Sequence, residues 1–416
     1  MGACCTSTAA FDRREQRERA ARQSGAKPNT AVQPRGDWTP PPVVEEIDEM
    51  AQLKLLLEQM PCMKAQEVLV AMSTFVIIDV RLAGFRRLEE LQQEGARDEL
   101  LPIGCVEAVI KAMEVHYGSG SAPLQESGVR LLRAAAATPA GQLKVTSSGG
   151  CKAVIQAMEM TGSLQINSMQ IAACEALFNL ASNSTSNKTK IAALGGVTAL
   201  LKAMSALMDD ARVQEAACAC LRMLTPNQSN QTRIANAGGA ERILEAMKKH
   251  PGDAEFLNQA CWALCHLAYG HPENQKKMSS LGVCQALLAS MRGHASSSGV
   301  QVHAMWGLKN MCASIQENQV TLAEGECIDL IRIALDRYAD ESSVVEQGLW
   351  LLRNLVDKNA ENTAKFHALV GEKTVKELMQ KHSAASNVQN AGNALQAVLH
   401  DKGIVNRSSL IAMGSR

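Results

Sequence analysis

The sequence has few aromatic residues, no long apolar run and no excess of charge of either sign. Aromatic residues make up only 3% of its 416 residues, so a core must be filled by Ala, Leu, Met and Cys, which suit close helix packing. The longest strongly apolar uncharged run, 68–78, is too short for a membrane span, which takes about 20 residues. Lys plus Arg and Asp plus Glu both total 42, which argues against a chain that coats nucleic acid.

Signs of secretion are also lacking, although the chain has thirteen cysteines. No Cys-x-x-Cys spacing occurs, and the N-terminus has no apolar signal-peptide core. Most cysteines stand among Ala and Leu in helix-patterned stretches, as Cys218 and Cys220 do, where a reduced thiol behaves as a small buried hydrophobe. We therefore expect free cysteines in a reducing, cytosolic compartment.

What the sequence does contain is a repeat. A segment that begins with Gly and ends with Ala-Met recurs, and its final methionines lie 45, 46, 43 and 44 residues apart. These methionines are Met113, Met158, Met204, Met247 and Met291. A second helix-patterned block separates the copies, and the Gly pair allows a sharp turn between two helices. Because a unit this small cannot bury its apolar faces alone, the units must stack.

One stretch shows the pattern most completely. Residues 271–288 read His-Pro-Glu-Asn-Gln-Lys-Lys-Met-Ser-Ser-Leu-Gly-Val-Cys-Gln-Ala-Leu-Leu, and residues 259–264 before them read Gln-Ala-Cys-Trp-Ala-Leu. This pattern resembles the armadillo repeat, and Gly-Gly before the later helix favours it over the neighbouring HEAT repeat. The resemblance implies an all-α fold, a right-handed armadillo-type α-solenoid with three helices per unit and a concave groove.

The chain then divides into four parts. Residues 1–44 form a disordered tail whose second half is rich in proline, and residues 45–63 form an amphipathic capping helix. Residues 64–400 form about eight repeats, of which the terminal ones are partial, and residues 401–416 form a frayed tail.

The first six residues carry a lipidation pattern. Gly2 follows the initiator Met and Thr6 stands where N-myristoylation requires Ser or Thr. One myristoyl chain binds membranes with a constant of only about 10⁴ M⁻¹, so stable attachment needs a second signal. Cys4 and Cys5 offer palmitoylation sites, and residues 11–27 carry a weak net positive charge. We expect an acylated tail on the cytosolic face of a membrane; a solvated, merely helical basic segment is the alternative for residues 11–27.

Alignment of the second blocks gives two columns four residues apart. The first holds Arg130, Glu175, Ala219, Trp262, Trp306 and Trp350, and the second holds Ala134, Asn179, Met223, His266, Asn310 and Asn354. In armadillo proteins that bind extended peptides, such as the importin-α adaptors, Asn at this site clamps the peptide backbone and Trp walls side-chain pockets. The resemblance therefore implies a half-length peptide groove. Packing of Trp between repeats is the structural alternative.

Other chemistry is poorly supported by the residues. Cys261, Cys265, His266 and His271 match no zinc-finger spacing, and the Gly pairs do not form a phosphate loop. We expect no metal, no cofactor and no enzyme. The chain is similar to two acylated armadillo groups, the yeast vacuolar armadillo protein and the apicomplexan armadillo-repeats-only protein. This likeness implies a membrane-tethered scaffold that recruits protein partners; a soluble armadillo adaptor in signalling or cilia is the alternative, and an importin-like transport adaptor is an outsider.

Overall fold

The computed structural model describes residues 49–95, 100–162, 166–313, 315–324 and 326–400. These residues contain twenty-three α-helices, two short 3₁₀ turns and no strand. The chain divides after Gln52 into two compact units, and only the first residues of helix α1 (Glu49–Gln59) describe the N-terminal one. The predicted lipid anchor and both predicted tails lie outside the described residues.

From Leu53 onwards the helices follow one another in a repeating order of three kinds. The first helices of the units have nine or ten residues: α6 Pro139–Ser147, α9 Thr185–Ala193, α12 Gln228–Asn236, α15 Pro272–Ser280, α18 Gln316–Glu324 and α21 Ala360–Leu369. The middle helices are α2 Ala65–Thr74, α4 Cys105–Val115, α7 Gly150–Gly162, α10 Gly196–Ala206, α13 Gly239–Lys249, α16 Val283–Gly293, α19 Cys327–Arg337 and α22 Gly371–Lys381. The long helices are α3 Ile78–Gln93, α5 Ala122–Ala135, α8 Asn167–Ala181, α11 Ala211–Leu224, α14 Ala254–Ala268, α17 Ser298–Cys312, α20 Ser342–Val356 and α23 Ser386–Leu399.

The boundaries of these helices follow from local sequence. First helices begin at polar N-caps, such as Ser184 and Asn227, whose side chains accept from a backbone N–H three residues on. Six middle helices, α4, α7, α10, α13, α16 and α19, begin after a residue with positive φ, such as Gly195 at 90°, which Gly adopts without a Cβ clash. The next glycine, Gly196, has no room for a Cβ, which would lie 2.8 Å from the Ile191 carbonyl oxygen. The first Gly of the pair is therefore needed for its positive φ, and the second because a larger residue would clash with the preceding helix.

The core is one continuous cluster that runs through successive units, built mainly from Leu, Val, Ile, Ala, Met and Cys. The methionines that end the repeat motif, such as Met113 and Met204, are almost fully buried. Met113 packs against Gly128 on the following long helix, where a Cβ would lie 2.6 Å from the Met sulfur, and Met72 and Met379 pack in the same way against Gly84 and Gly392. Successive long helices also pack directly on one another. This pairing of Met with Gly or Ala explains why the core needs so few aromatic rings.

Side-chain amides seal the ends of the long helices. The last four carbonyls of a helix have no partner within it. In α14 each of them accepts from an Asn or Gln amide: Cys265 from Asn310 (3.0 Å), His266 from Gln231 (2.7 Å), Leu267 from Asn274 (2.9 Å) and Ala268 from Gln275 (2.8 Å). Asn274 and Gln275 lie on α15, the helix that follows, whereas Gln231 on α12 and Asn310 on α17 reach across from other units. The helix end is therefore closed by the polar residues of its neighbours.

Two boundaries differ from those expected. Residues 45–63 were expected to be one helix, but α1 ends at Gln59 and a 3₁₀ turn, Met60–Cys62, follows it at Pro61. The final unit was expected to be partial, but α21, α22 and α23 complete it. Asn359 caps α21 and Gly371 has φ of 74°, so both breaks needed for three helices are present although the apolar pattern there is weak.

Candidate functional site: the long-helix face

The two aligned columns lie on one side of the array. We call this side the long-helix face and define it as the surface formed by the partly exposed residues of α5, α8, α11, α14, α17 and α20. Every member of the two columns is half-buried there except Asn310, which is buried. The face therefore presents side chains that are held by packing but still reach solvent, a combination suited to recognition.

The three C-terminal rungs of this face carry the predicted aromatic pairs. The rings of Trp262 and His266 lie 6.3 Å apart, and His266 continues to Trp306 of the next unit at 5.5 Å. The ammonium of Lys309 lies 5.3 Å from the centre of the Trp306 ring. The structure thus brings Trp262, His266 and Trp306 together. Trp350 is half-buried one unit further on and packs against the core.

A stack across the units covers both faces of Trp262. The guanidinium of Arg222 lies 3.7 Å from the centre of the Trp262 ring on one side, and the His303 ring stacks at 4.2 Å and 11° on the other. Arg222 also lies 5.6 Å from the centre of the Phe178 ring. The resulting series of contacts, Phe178–Arg222–Trp262–His303, joins four successive units. The walls of Trp262 are therefore occupied by the chain itself, and the edge of the ring is what remains for a partner.

The stacked histidines are uncharged at neutral pH. Burial, and then the positive charge of Arg222, lower the pKa of His266 and of His303 to about 4. Burial also lowers the pKa of Arg222 from its ordinary value. A neutral imidazole can stack between the indole rings without repelling Arg222, so the face gains rigidity here rather than charge.

The asparagines of the second column join units to each other. Asn179, Asn310 and Asn354 each donate a side-chain N–H to a backbone carbonyl of the preceding long helix, on Arg133 (3.2 Å), Cys265 (3.0 Å) and Lys309 (3.1 Å). The buried Asn310 Nδ2 also approaches the Cys265 Sγ at 3.5 Å, so this amide makes both of its donor contacts within the fold. The peptide clamp assigned to these residues remains a prediction, and they have a structural part as well.

A cavity of about 440 Å³ opens where the Trp column is interrupted at Ala219. We call it the Ala219 cavity. Its lining comes from α8, α11 and α14 and consists of Ile171, Glu175, Phe178, Arg212, Glu215, Ala216, Ala219, Arg222, Glu255 and Gln259. The column alignment included Ala219 but did not predict this cavity. Its signal was present in the spacing of Glu175, Glu215 and Glu255, which are 40 residues apart.

Three glutamates and two arginines line the Ala219 cavity. Burial, and then the charges of Glu255, Asp253 and Glu175, raise the pKa of the Glu215 carboxyl, while Arg212 opposes them. Glu175 pairs with Arg133, and Arg222 is held on the Trp262 ring. Glu175 thus has an ion-pair partner, whereas Glu215 and Glu255 have none among the described residues, although Arg212 and Arg222 line the same cavity.

The remaining candidates have structural positions. Cys261 and Cys265 are fully buried, while His271 caps α15 by accepting from the Asn274 N–H. Nowhere in the described ranges do three or more His, Cys, Asp or Glu side chains come together as a metal site would require. The eleven described cysteines are all free thiols, and Cys62 is the exposed one. Among the same residues, no helix is long and apolar enough to cross a membrane.

Comparison with known proteins shows which family has this architecture. The family model described as LRRK2 ARM repeat matches residues 49–409. No curated protein sequence matches the chain. Among solved structures, the designed armadillo repeat protein YIII(Dq)4CqI is 21% identical with a TM-score of 0.52, covering 60% of this chain and 99% of its own.

Two further solved structures share the fold. A designed armadillo repeat protein, YIII(Dq.V1)4CPAF in complex with the peptide (KR)4, is 20% identical with a TM-score of 0.50, over 60% of this chain and 99% of that one. A structure concerning a phosphorylation switch in the interaction between cadherin and beta-catenin is 15% identical with a TM-score of 0.68, over 84% of this chain and 67% of that one. The predicted all-α, right-handed armadillo-type solenoid is thereby confirmed, and no catalytic family is indicated. The chain belongs to the armadillo-repeat family.

Proposed function

We propose that this armadillo scaffold binds an extended segment of a partner protein along the long-helix face and holds that partner at the cytosolic face of a membrane. An armadillo scaffold is suited to protein or peptide binding. The observation that carries the proposal is the run of Trp, His and Asn side chains on successive units, from Trp262 to Asn354, all of them half-buried except the buried Asn310. Similar folds are known with a bound (KR)4 peptide and in relation to a cadherin interaction.

The spacing of the units supports an extended ligand. Packed helices lie about 8–10 Å apart, while an extended chain advances about 3.3 Å per residue. One unit therefore corresponds to about three residues of ligand, and the rungs from Ala219 to Trp350 to about ten. The partly exposed surfaces of the Trp262, Trp306 and Trp350 rings and of Asn354 are available for contact with such a segment.

Partner capture tests the groove. Asn310→Ala with Asn354→Ala removes the proposed clamp, but it also removes two bonds between units. A matched control is Asn318→Ala with Asn362→Ala, because these buried asparagines lie in the first helices of the two units that follow and bond the Met311 and Leu355 carbonyls at 2.7 and 2.8 Å. Both double variants should lose stability, and only the first should lose native partners in a pull-down below its melting temperature.

The opposite pattern would remove the groove from the proposal. If both double variants capture partners as the wild type does, binding takes place elsewhere on the chain. If both lose capture in proportion to stability, the asparagines act only in the fold.

Membrane attachment rests on Gly2, Cys4 and Cys5, outside the described residues. We expect Gly2→Ala to move the protein into the soluble fraction, while Cys4→Ser with Cys5→Ser should leave weak, reversible binding, since one acyl chain binds marginally. Ala3→Ser is a matched control that leaves the acylation pattern intact. A Gly2→Ala protein that stays on membranes after a high-salt wash would contradict the lipid anchor and point to another anchor. A wild-type protein already in the soluble fraction would support the soluble, non-lipidated adaptor.

A further inference from the structure

The first helices of the described array border an apolar groove. The groove lies between α2 and the part of α1 that follows Leu53, and it has a volume of about 580 Å³. Its apolar lining is formed by Leu56, Met63, Val70, Ala71 and Phe75. We call it the N-terminal groove. Val70 on α2 is 60% exposed, so the groove is open to solvent.

Exposed apolar side chains are concentrated at this end of the array. Leu55, Val70, Val76 and Ile77 are 54, 60, 56 and 41% exposed, and all of them lie in the stretch 55–77. The other nine large apolar side chains that are exposed in the described ranges are spread from Ile103 to Leu369. Single exposed apolar residues are ordinary, whereas several together are typical of an interaction site. The N-terminal end therefore differs from the rest of the described surface.

The N-terminal groove continues the surface on which units stack. Middle helices pack on one another along the array, so that α4 lies between α2 and α7, and α10 lies between α7 and α13. Among the described helices, α2 has a neighbour of this kind on one side only. Glu67, Val70, Ala71 and Thr74 are three or four residues apart, so they form one stripe of α2 along the groove. This stripe is the side of α2 that a preceding unit would cover.

The C-terminal end of the array has a different surface. The exposed residues of the last middle helix, α22, are all polar: Lys373, Lys376, Glu377, Gln380 and Lys381. Terminal units of repeat proteins need a polar outer face to stay soluble, and only the C-terminal end provides one. Stacking of this end on the N-terminal groove of another copy would bury charges against apolar side chains, which is unfavourable. Contact between two N-terminal grooves buries apolar surface on both sides and is favoured instead.

The charges beside the groove suit contact with an identical surface. Lys54 and Glu58 are exposed on α1, four residues apart, and Lys64 and Glu67 line the groove at the start of α2. The side chains of Lys54 and Glu58 form no ion pair with any residue that the structure describes. In a two-fold contact the same patch faces itself, so a lysine of one copy can lie opposite a glutamate of the other.

We propose that two copies of this chain associate head to head through their N-terminal grooves, with α1 and α2 of each copy packed on those of the other. The two-fold arrangement uses the same surface on both copies, so it stops at a dimer and does not extend into a filament. The inference is independent of the proposed peptide binding and of the lipid anchor. A dimer presents two long-helix faces, so a partner with two binding segments would be held more tightly than by one copy.

Sedimentation velocity of full-length, unacylated protein made in bacteria tests the association. The mass should rise towards twice the 44.6 kDa of one chain as the concentration increases from about 1 to about 100 μM. Val70→Glu should weaken the dimer by about tenfold or more, because it places a charge in the apolar contact. Ile333→Glu is the matched control and should dimerise like the wild type, since Ile333 is 50% exposed on the middle helix α19, away from both ends.

Crosslinking tests the orientation. p-Benzoylphenylalanine replaces Gln66, an exposed residue of the groove, in protein that is mixed with an equal amount of ¹⁵N-labelled protein. The isotope distinguishes crosslinks between copies from those within one copy. We expect crosslinks between copies to residues 53–77, and none between copies from the same group at Ile333. Val70 is unchanged in this protein, so the result also decides the matter if Val70→Glu loses its fold.

The results can overturn the proposal in four ways. A wild type that stays monomeric at the highest concentration would do so, as would a dimer that is equally stable in Val70→Glu and Ile333→Glu. Crosslinks from position 66 to residues 371–399 of the other copy would show head-to-tail stacking, and crosslinks within one copy alone would show that the chain covers its own groove. Partner capture by the long-helix face is measured separately, so each of these outcomes leaves the proposed function standing.

Discussion

Loss of one buried amide should open the end of a long helix. Asn274 is 4% exposed, and its side chain is the donor to the Leu267 carbonyl in the last turn of α14. In Asn274→Ala this carbonyl stays buried and loses its partner, at a cost of about 1–3 kcal/mol. Alanine is a better helix former than Asn by at most about 0.7 kcal/mol. The net destabilisation should therefore be about 1–2 kcal/mol.

Hydrogen exchange followed by mass spectrometry is the suitable assay, because a repeat array need not unfold in one step. Protection should fall in the last turn of α14 and in α15, and hardly at all in α4 or α5. Lys276→Ala, an exposed change in the same helix, is the control and should stay within about 0.5 kcal/mol of the wild type. If Asn274→Ala exchanges like Lys276→Ala, side-chain amides do not close the helix ends.

Three further predictions address strain, thiols and charge. Glu326 has φ of 62° where other units place Gly, so Glu326→Gly should raise the melting temperature through relief of about 1 kcal/mol of strain, and an unchanged or lower value would contradict this. Among the described cysteines, only Cys62 should react with N-ethylmaleimide in the native protein, since the other ten are buried and burial raises the pKa of Cys261 to about 12. Early labelling of Cys261 in peptide mapping would contradict this prediction. The raised pKa of Glu215, set by burial and by Glu255, Asp253 and Glu175 against Arg212, means that its ionised form is disfavoured in the fold. Wild type should therefore lose stability relative to Glu215→Gln as pH rises, so this variant should melt higher at pH 7 and equally below about pH 4, and the reverse trend would refute the raised pKa of Glu215.

The repeat could be predicted from the sequence because each unit carries the same pattern of residues. Gly before a helix, Met at its end and a polar cap after the long helix recur at a spacing that local irregularity cannot hide. Glu326 shows the limit of this reasoning, because it adopts a glycine-like backbone conformation without being Gly. The positive φ falls on Glu326 although Gly325 stands directly before it in the sequence, so the position of Gly does not mark this helix break.

The candidate site was predicted only in part. Column alignment compares equivalent positions, and it places Trp262, His266 and Trp306 on one face. Arg222 and His303, which cover Trp262, occupy different positions in their units, so no column contains their contact. The Ala219 cavity escapes the alignment for the opposite reason: it exists because a side chain is small, and an alignment scores what is present.

The most direct test of the central claim is photo-crosslinking at two positions of one unit. p-Benzoylphenylalanine replaces half-buried Trp350 on the long-helix face in one variant and Ile333 in the other, which is 50% exposed on the middle helix α19. After irradiation in cells, mass spectrometry identifies crosslinked partner peptides. The account predicts crosslinks from position 350 to one continuous segment of a partner, and none to that segment from position 333. Crosslinks to that partner from position 333 alone would contradict it.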